Sequence, residues 1–165
     1  MCSSDLSSLP TVSAQRSHVS RSSFLMEAKD VLFGTLERSY SAPYENVPRE
    51  AMDAVGLARV MGALPQMWGR QDQWDSPVTR CEALEILFAF ADVSPTAERT
   101  REFRDVRGRV RSRTVEQALS WGLLSPLTQR QFGCSRAISA IDVPLLLEQF
   151  EAHVELPLTP PAGGA

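Results

Sequence analysis

Lysine, histidine and long apolar runs are nearly missing from this chain, and each scarcity removes a class of function. Lys29 is the one lysine, so the basic charge is arginine, and the net charge is −3. No global positive field points to nucleic acid. His18 and His153 are the two histidines. Both fall near chain ends that read as flexible, which leaves no basis for a Ser–His or Cys–His nucleophilic pair. No run approaches membrane-spanning length, and Met1-Cys2-Ser3-Ser4-Asp5 lacks the apolar core of a signal peptide. Cys2, Cys81 and Cys134 show no metal-ligand spacing and no CxxC pair. They permit one disulfide, but an odd count gives no framework. Cys81 beside Arg80 reads either as a thiol with lowered pKa or as a small core residue. Gly34, Gly56, Gly62 and Gly69 are scattered, so no phosphate loop is built. Asp72 and Asp75 flank Trp74. A glycosidase would need a deep cleft around such a pair, which a small helical array rarely builds. No alternating Asp/Asn/Gly loop suits calcium. The expectation is a protein that is not an enzyme and uses no cofactor or metal.

What is present suits one domain or a repeat array packed as one. Of 165 residues, 43% are hydrophobic and 22% charged, enough for a sizeable core. The densest basic run spans Arg99 to Arg113. Glu98, Glu102, Asp105 and Glu116 dilute it, and Phe103 is its lone aromatic. That pattern reads as a solvated helix entry rather than a nucleic-acid site.

Residues 1–18 form a Ser-rich leader expected to be flexible, and 156–165 (LPLTPPAGGA) an unstructured tail. Five apolar-periodic segments between them predict helices. The first covers Ser23 to Arg38. The second covers Val47 to Met61, with Asn46 as cap and Gly62 as stop, although the short run Leu57–Leu64 also admits a brief strand. The third begins at Thr79, where Thr79 and Glu82 make a capping box. The fourth covers Gly108 to Trp121, with Val110, Val115, Ala118 and Leu119 facing inward. The fifth covers Ser135 to His153 and is kinked or split at Pro144, with Asp142 capping the second piece. A long loop, Gly62 to Pro77, carries Trp68 and Trp74.

Self-similarity changes the picture. Val19-Ser20-Arg21, Val78-Thr79-Arg80 and Cys134-Ser135-Arg136 each place a hydroxyl residue and an arginine at a helix entry, 59 and then 56 positions apart. Tyr44-Glu45-Asn46-Val47 matches Phe103-Arg104-Asp105-Val106 at 59 positions. The predicted organisation is a partial first repeat (19–42), a second (43–94) and a third (95–155). Each would be a helix–loop–helix unit that buries its apolar face only by stacking. A cation at a helix N-terminus opposes the macrodipole. Meeting one three times invites either an anionic ligand or a carboxylate on a neighbouring unit.

The order of these elements resembles the S-layer homology family. Phe103-Arg104-Asp105-Val106, Gly122-Leu123, Phe132 and Ser135-Arg136-Ala137 follow its unit. So do Val47-Pro48, Gly62-Ala63, Trp74 and Asp75-Ser76-Pro77-Val78-Thr79-Arg80-Cys81-Glu82 in the preceding one. The resemblance implies an all-α fold of tandem helix–loop–helix repeats around a central three-helix bundle, with very short strands admitted in loops. It further implies non-covalent attachment to an anionic cell-wall or surface polysaccharide at the bacterial envelope. Arg21, Thr79, Arg80, Glu82, Ser135 and Arg136 would then form ligand sites, with Trp74 as a stacking face for sugar. The family's glutamate stands only at Glu82, and its early helix tryptophan is missing from both complete units.

Two functions follow: a polymer anchor, or a helical protein–protein scaffold, which would admit a cytoplasmic location. An anchor predicts arginines with free guanidinium groups in grooves. A scaffold predicts arginines satisfied internally and an exposed apolar patch. Neither needs nucleic acid or a transmembrane segment, and an oligomer is compatible with both.

Overall fold

The helices start and stop where local chemistry tells them to, though not always where periodicity alone suggests. The computed structural model describes residues 17–66, 68, 73–98 and 102–162. α1, Arg21–Phe33, is capped by Ser20, whose Oγ accepts from the Ser23 amide at 3.1 Å. It ends before the expected Arg38 because Gly34 adopts φ 70° and its amide bonds back to Asp30. α2, Met52–Val60, follows a 3-10 turn at Arg49–Ala51. Asn46 does not cap it, since that residue sits in a separate turn at φ 57°. Gly62 closes α2 at φ 68°, with Ala63 N–H bonded to Ala58 C=O. Leu57 and Val60 are therefore helical, and no strand forms there.

α3, Arg80–Phe90, carries the anticipated capping box: Glu82 N–H donates to Thr79 Oγ1 at 3.2 Å, and Thr79 N–H to Glu82 Oε1 at 3.0 Å. α4, Arg109–Ser120, lies between Gly108 and Gly122. Val115 and Ala118 face inward, but Val110 is 78% exposed, against expectation. It sits in the first turn, where the buried side of the helix is supplied instead by Thr114, Glu116 and Gln117 further along. α5 is shorter than its periodicity suggested, Asp142–Glu151. Residues 135–141 are not helical, and Pro144 falls in the first turn of α5, where its missing N–H costs nothing.

This rearranges the third unit. Thr79 pairs with Ala137 and His18 with Ser139 in isolated bridges, as Ser20 does with Pro77. Three hydrogen bonds link the same positions in a cycle: Arg21 N–H to Ser76 C=O, Arg80 N–H to Arg136 C=O, and Ala140 N–H to Ser17 C=O, each 2.9 Å. Ser139-Ala140, not Ser135-Arg136, is thus the counterpart of Ser20-Arg21 and Thr79-Arg80. His18, expected in a flexible leader, is part of this ring; the rest of that leader lies outside the described residues.

Below the ring, α1, α3 and α5 meet. Phe33 packs on Phe90 at 5.5 Å between centroids, Phe88 on Phe150 at 5.8 Å, and α1 contacts α5 directly. α2 lies against α1 and α4 against α3, the latter pair joined by an Arg111–Glu85 ion pair at 2.6 Å. Trp121 stacks on His153 at 4.7 Å and also touches Phe88 and Phe150. Among the described residues there are five α-helices and no strand, so the class is all-α. No helix among them is long and apolar enough to cross a membrane. The tail, read from sequence as unstructured, is docked over its described part: Leu158 N–H donates to Leu32 C=O and Tyr40 Oη–H to Pro161 C=O, both at 2.7 Å.

Gly56 faces the backbone carbonyl of Tyr40 so closely that a Cβ would collide with it. We expect Gly56→Ala to lower stability by about 1–3 kcal/mol in urea unfolding despite its better helix propensity. A neutral or stabilising result would show that the contact between α2 and the Tyr40 segment yields easily.

Candidate functional site

The ring brings together the first turns of α1 and α3 with the loops that precede α3 and α5. Each helix begins with an arginine, and each arginine turns its guanidinium onto an aromatic ring of the neighbouring loop. Arg21 lies over Trp68 at 4.9 Å from the ring centroid, and Arg80 over Phe132 at 5.0 Å. Ala140 stands at the third such position, so the arrangement has two cationic corners rather than three.

The two corners differ in how their charge is met. Arg80 is 5% exposed. Its Nη2 donates to the Ser125 carbonyl, and its Nη1 lies 3.9 Å from Asp142. Burial pulls its pKa below the ordinary arginine value, opposed by Asp142 and then Asp105; the group stays charged throughout the accessible range. Its Nε is buried and finds no hydrogen-bond partner among the described residues. Arg80 thus braces a cavity of about 600 Å³ whose wall also carries Asp142, Leu127, Leu145 and Glu148. At the other corner Nε and Nη1 of Arg21 are buried and find no hydrogen-bond partner among the described residues. Trp68 is itself fully buried and donates its indole N–H to Glu82 Oε2 at 3.0 Å. Glu82 therefore commits both oxygens, one to its own helix cap and one to Trp68, and Trp68 ties the start of α1 to the start of α3.

Of the residues expected to meet a ligand, Thr79, Arg80 and Glu82 lie together, and Trp68 connects them to Arg21. Ser135 and Arg136 have exposed side chains in the loop before Ser139, and what Arg136 contributes to the ring is its backbone carbonyl. Trp74 is 2% exposed, clasped by Tyr44 and Trp68 with its N–H on the Glu45 carbonyl. Its ring faces the interior and offers no stacking surface. Asp72 lies outside the described residues.

Sequence reasoning missed Trp68 and Phe132 as the platforms for the arginines, and the role of Asp105. The Asp105 carboxylate accepts three successive amides, from Phe132 at 2.9 Å, Gly133 at 2.6 Å and Cys134 at 2.9 Å. Phe103 packs on Phe132 as Tyr44 does on Trp74. Gly133 holds φ 91°, and a Cβ there would strike Leu127, so the bend under Phe132 requires glycine. Cys134 then bonds to Cys81, fixing this loop to the first turn of α3 across 53 residues. Cys81 is accordingly a core residue, 1% exposed, and a disulfide partner, so the reading as a thiol with lowered pKa falls. One signal was available: Gly62 to Gly122, Val78 to Ile138 and Glu82 to Asp142 all repeat at 60 positions, which selects Ser139 over Ser135. Among the described residues no group of three or more His, Cys, Asp or Glu side chains is placed to hold a metal ion.

No protein-family model matches the sequence, and no curated protein matches it.

Two outcomes follow from the loop. Replacing both Cys81 and Cys134 by serine removes a constraint on a long loop and should cost about 3–4 kcal/mol in denaturant unfolding; a loss below about 1 kcal/mol would mean the loop is held without it. For Asp105, burial favours the neutral acid, but the backbone amides outweigh it and hold the pKa below the usual aspartate value of 3.8. Its stabilisation is complete above that value and disappears as pH falls through the depressed pKa. The stability gap between the native chain and Asp105→Asn should be constant from neutral pH to about pH 5 and shrink below about pH 4. A gap independent of pH would contradict this account.

Proposed function

We propose that this chain is a divergent S-layer-homology-type module, not an enzyme, that attaches to an anionic cell-wall or surface polysaccharide through Arg21. The observation that carries the reading is the Arg21 guanidinium: stacked on Trp68, with buried Nε and Nη1 donors that no described residue accepts. Buried guanidinium N–H donors with no described acceptor suit charge-assisted hydrogen bonds from an anionic ligand such as a carboxylate. Burial raises the strength of such a pair over its value in water. The cyclic junction of three helix starts supports the family likeness, and the Cys81–Cys134 disulfide suits the oxidising conditions of an envelope or surface setting.

A second reading, a helical scaffold for a protein partner, is favoured by the other corner. Arg80 is clamped between Ser125 and Asp142, and Leu127 and Leu145 in the same cavity wall are 46% and 61% exposed.

Co-sedimentation with bacterial sacculi that retain their secondary polymers, beside acid-stripped sacculi, separates the two. Binding should require the polymer and fall roughly ten- to a hundredfold in Arg21→Met, the loss of a charge-assisted hydrogen-bonding group. Arg136→Ala should bind normally. Absence of binding to any polymer-bearing wall, that of the source organism included, would sink the anchor, as would binding indifferent to Arg21→Met.

A further inference from the structure

A second surface feature lies away from both arginine corners. Between α1 and α5 runs a groove of about 350 Å³ with an apolar floor of Val31, Pro144 and Leu147. Its rim carries Glu27, Asp30, Glu148 and Glu151. Asp30 is paired with Lys29 at 2.6 Å, and Glu27 is raised in pKa by burial and then by Asp30 beside it. The complement exists on the same chain. The first turn of α4 presents Val110, at 78% the most exposed large apolar side chain among the described residues, and Arg107, Arg109 and Arg113, its neighbours in sequence, are exposed. Arg111 is diverted to Glu85, while Arg107, Arg109 and Arg113 line a hollow with Glu98 beside the Val110 turn.

We propose that these two surfaces are halves of one contact, and that the chain self-associates head to tail, the Val110 knob of one copy seating in the α1–α5 groove of the next. An aliphatic side chain flanked in sequence by arginines suits an apolar slot flanked by carboxylates in polarity and in sign of charge. The two surfaces share no residue. A copy can therefore donate its knob and accept another at once, which makes the contact heterologous and extends it into a ring or a chain. The salt-sensitive rim sets orientation, and the buried aliphatic contact supplies the drive.

Sedimentation velocity of the full chain over a concentration series tests this. We expect association that weakens as salt rises. Two charge-reversed proteins, Arg109→Glu/Arg113→Glu and Glu148→Arg/Glu151→Arg, should each associate at least about tenfold more weakly than the native chain. Mixed together they should recover it, because each then meets an opposite partner. All four positions are exposed, and circular dichroism checks that the fold persists; Val110→Ser provides an independent single-site weakening. A native chain that stays monomeric up to millimolar concentration overturns the proposal, even if the groove captures an unrelated basic peptide. So does association that survives either reversal, or a mixture that fails to restore it.

Discussion

Everything in this molecule hangs on three backbone hydrogen bonds that join three helix starts in a cycle, Arg21 to Ser76, Arg80 to Arg136 and Ala140 to Ser17. Arg21 and Arg80 use amides of a first helical turn, donors that no residue of their own helices can accept, and Ala140 uses one just before α5. Each also takes the carbonyl of a segment leading into the next helix. The bonds therefore satisfy orphan groups and fix the relative positions of α1, α3 and α5 at the same time. With those starts pinned, the side chains below can interdigitate as aromatic pairs, and the loops above are forced across the arginines. The central packing and the cationic corners are two results of one constraint.

That constraint explains why arginine is tolerated where the helix dipole disfavours it. At both corners the side chain turns back to lie on a ring from the adjoining loop, so the charge is met by an aromatic face and not left against the helix N-terminus. From there the corners diverge. Arg80 became structural, clamped between Ser125 and Asp142 and held in place by a disulfide one residue away. Arg21 has two buried donors that no described residue accepts. Near-equivalent positions thus carry one cation clamped by its neighbours and another that is not, with Ala140 at the third place.

Much of this was legible in the residues. The all-α class, the Thr79–Glu82 box, the glycine stops at Gly62 and Gly122 and the pairing of Arg21 with Arg80 follow from local rules that need few neighbours. What failed depended on distant ones. Ser135-Arg136 looks like a helix entry because hydroxyl and arginine sit side by side, but the chain spends those residues on a turn that delivers the Arg136 carbonyl to Arg80. Val110 looks like a core residue by spacing, yet sits where no neighbouring element covers it. The tail looks unstructured by composition, and its anchors, Leu32 and Tyr40, lie more than a hundred residues away. Trp74 and Trp68 were both visible as loop aromatics; which of them would face an arginine is decided by Tyr44 and Glu82.

The bond from Ala140 to Ser17 has a consequence for how the chain can be made. The ring is sealed by a segment at Ser17 meeting one at Ala140 that is made long after it. During synthesis α1 and α2 can lean on each other, and α3 with α4 can follow, but none of these partial assemblies has its third neighbour. The apolar faces of α1 and α3 that α5 will cover stay open until the end. Completion thus waits for one long-range contact, slow by topology and exposed to misassociation until it forms.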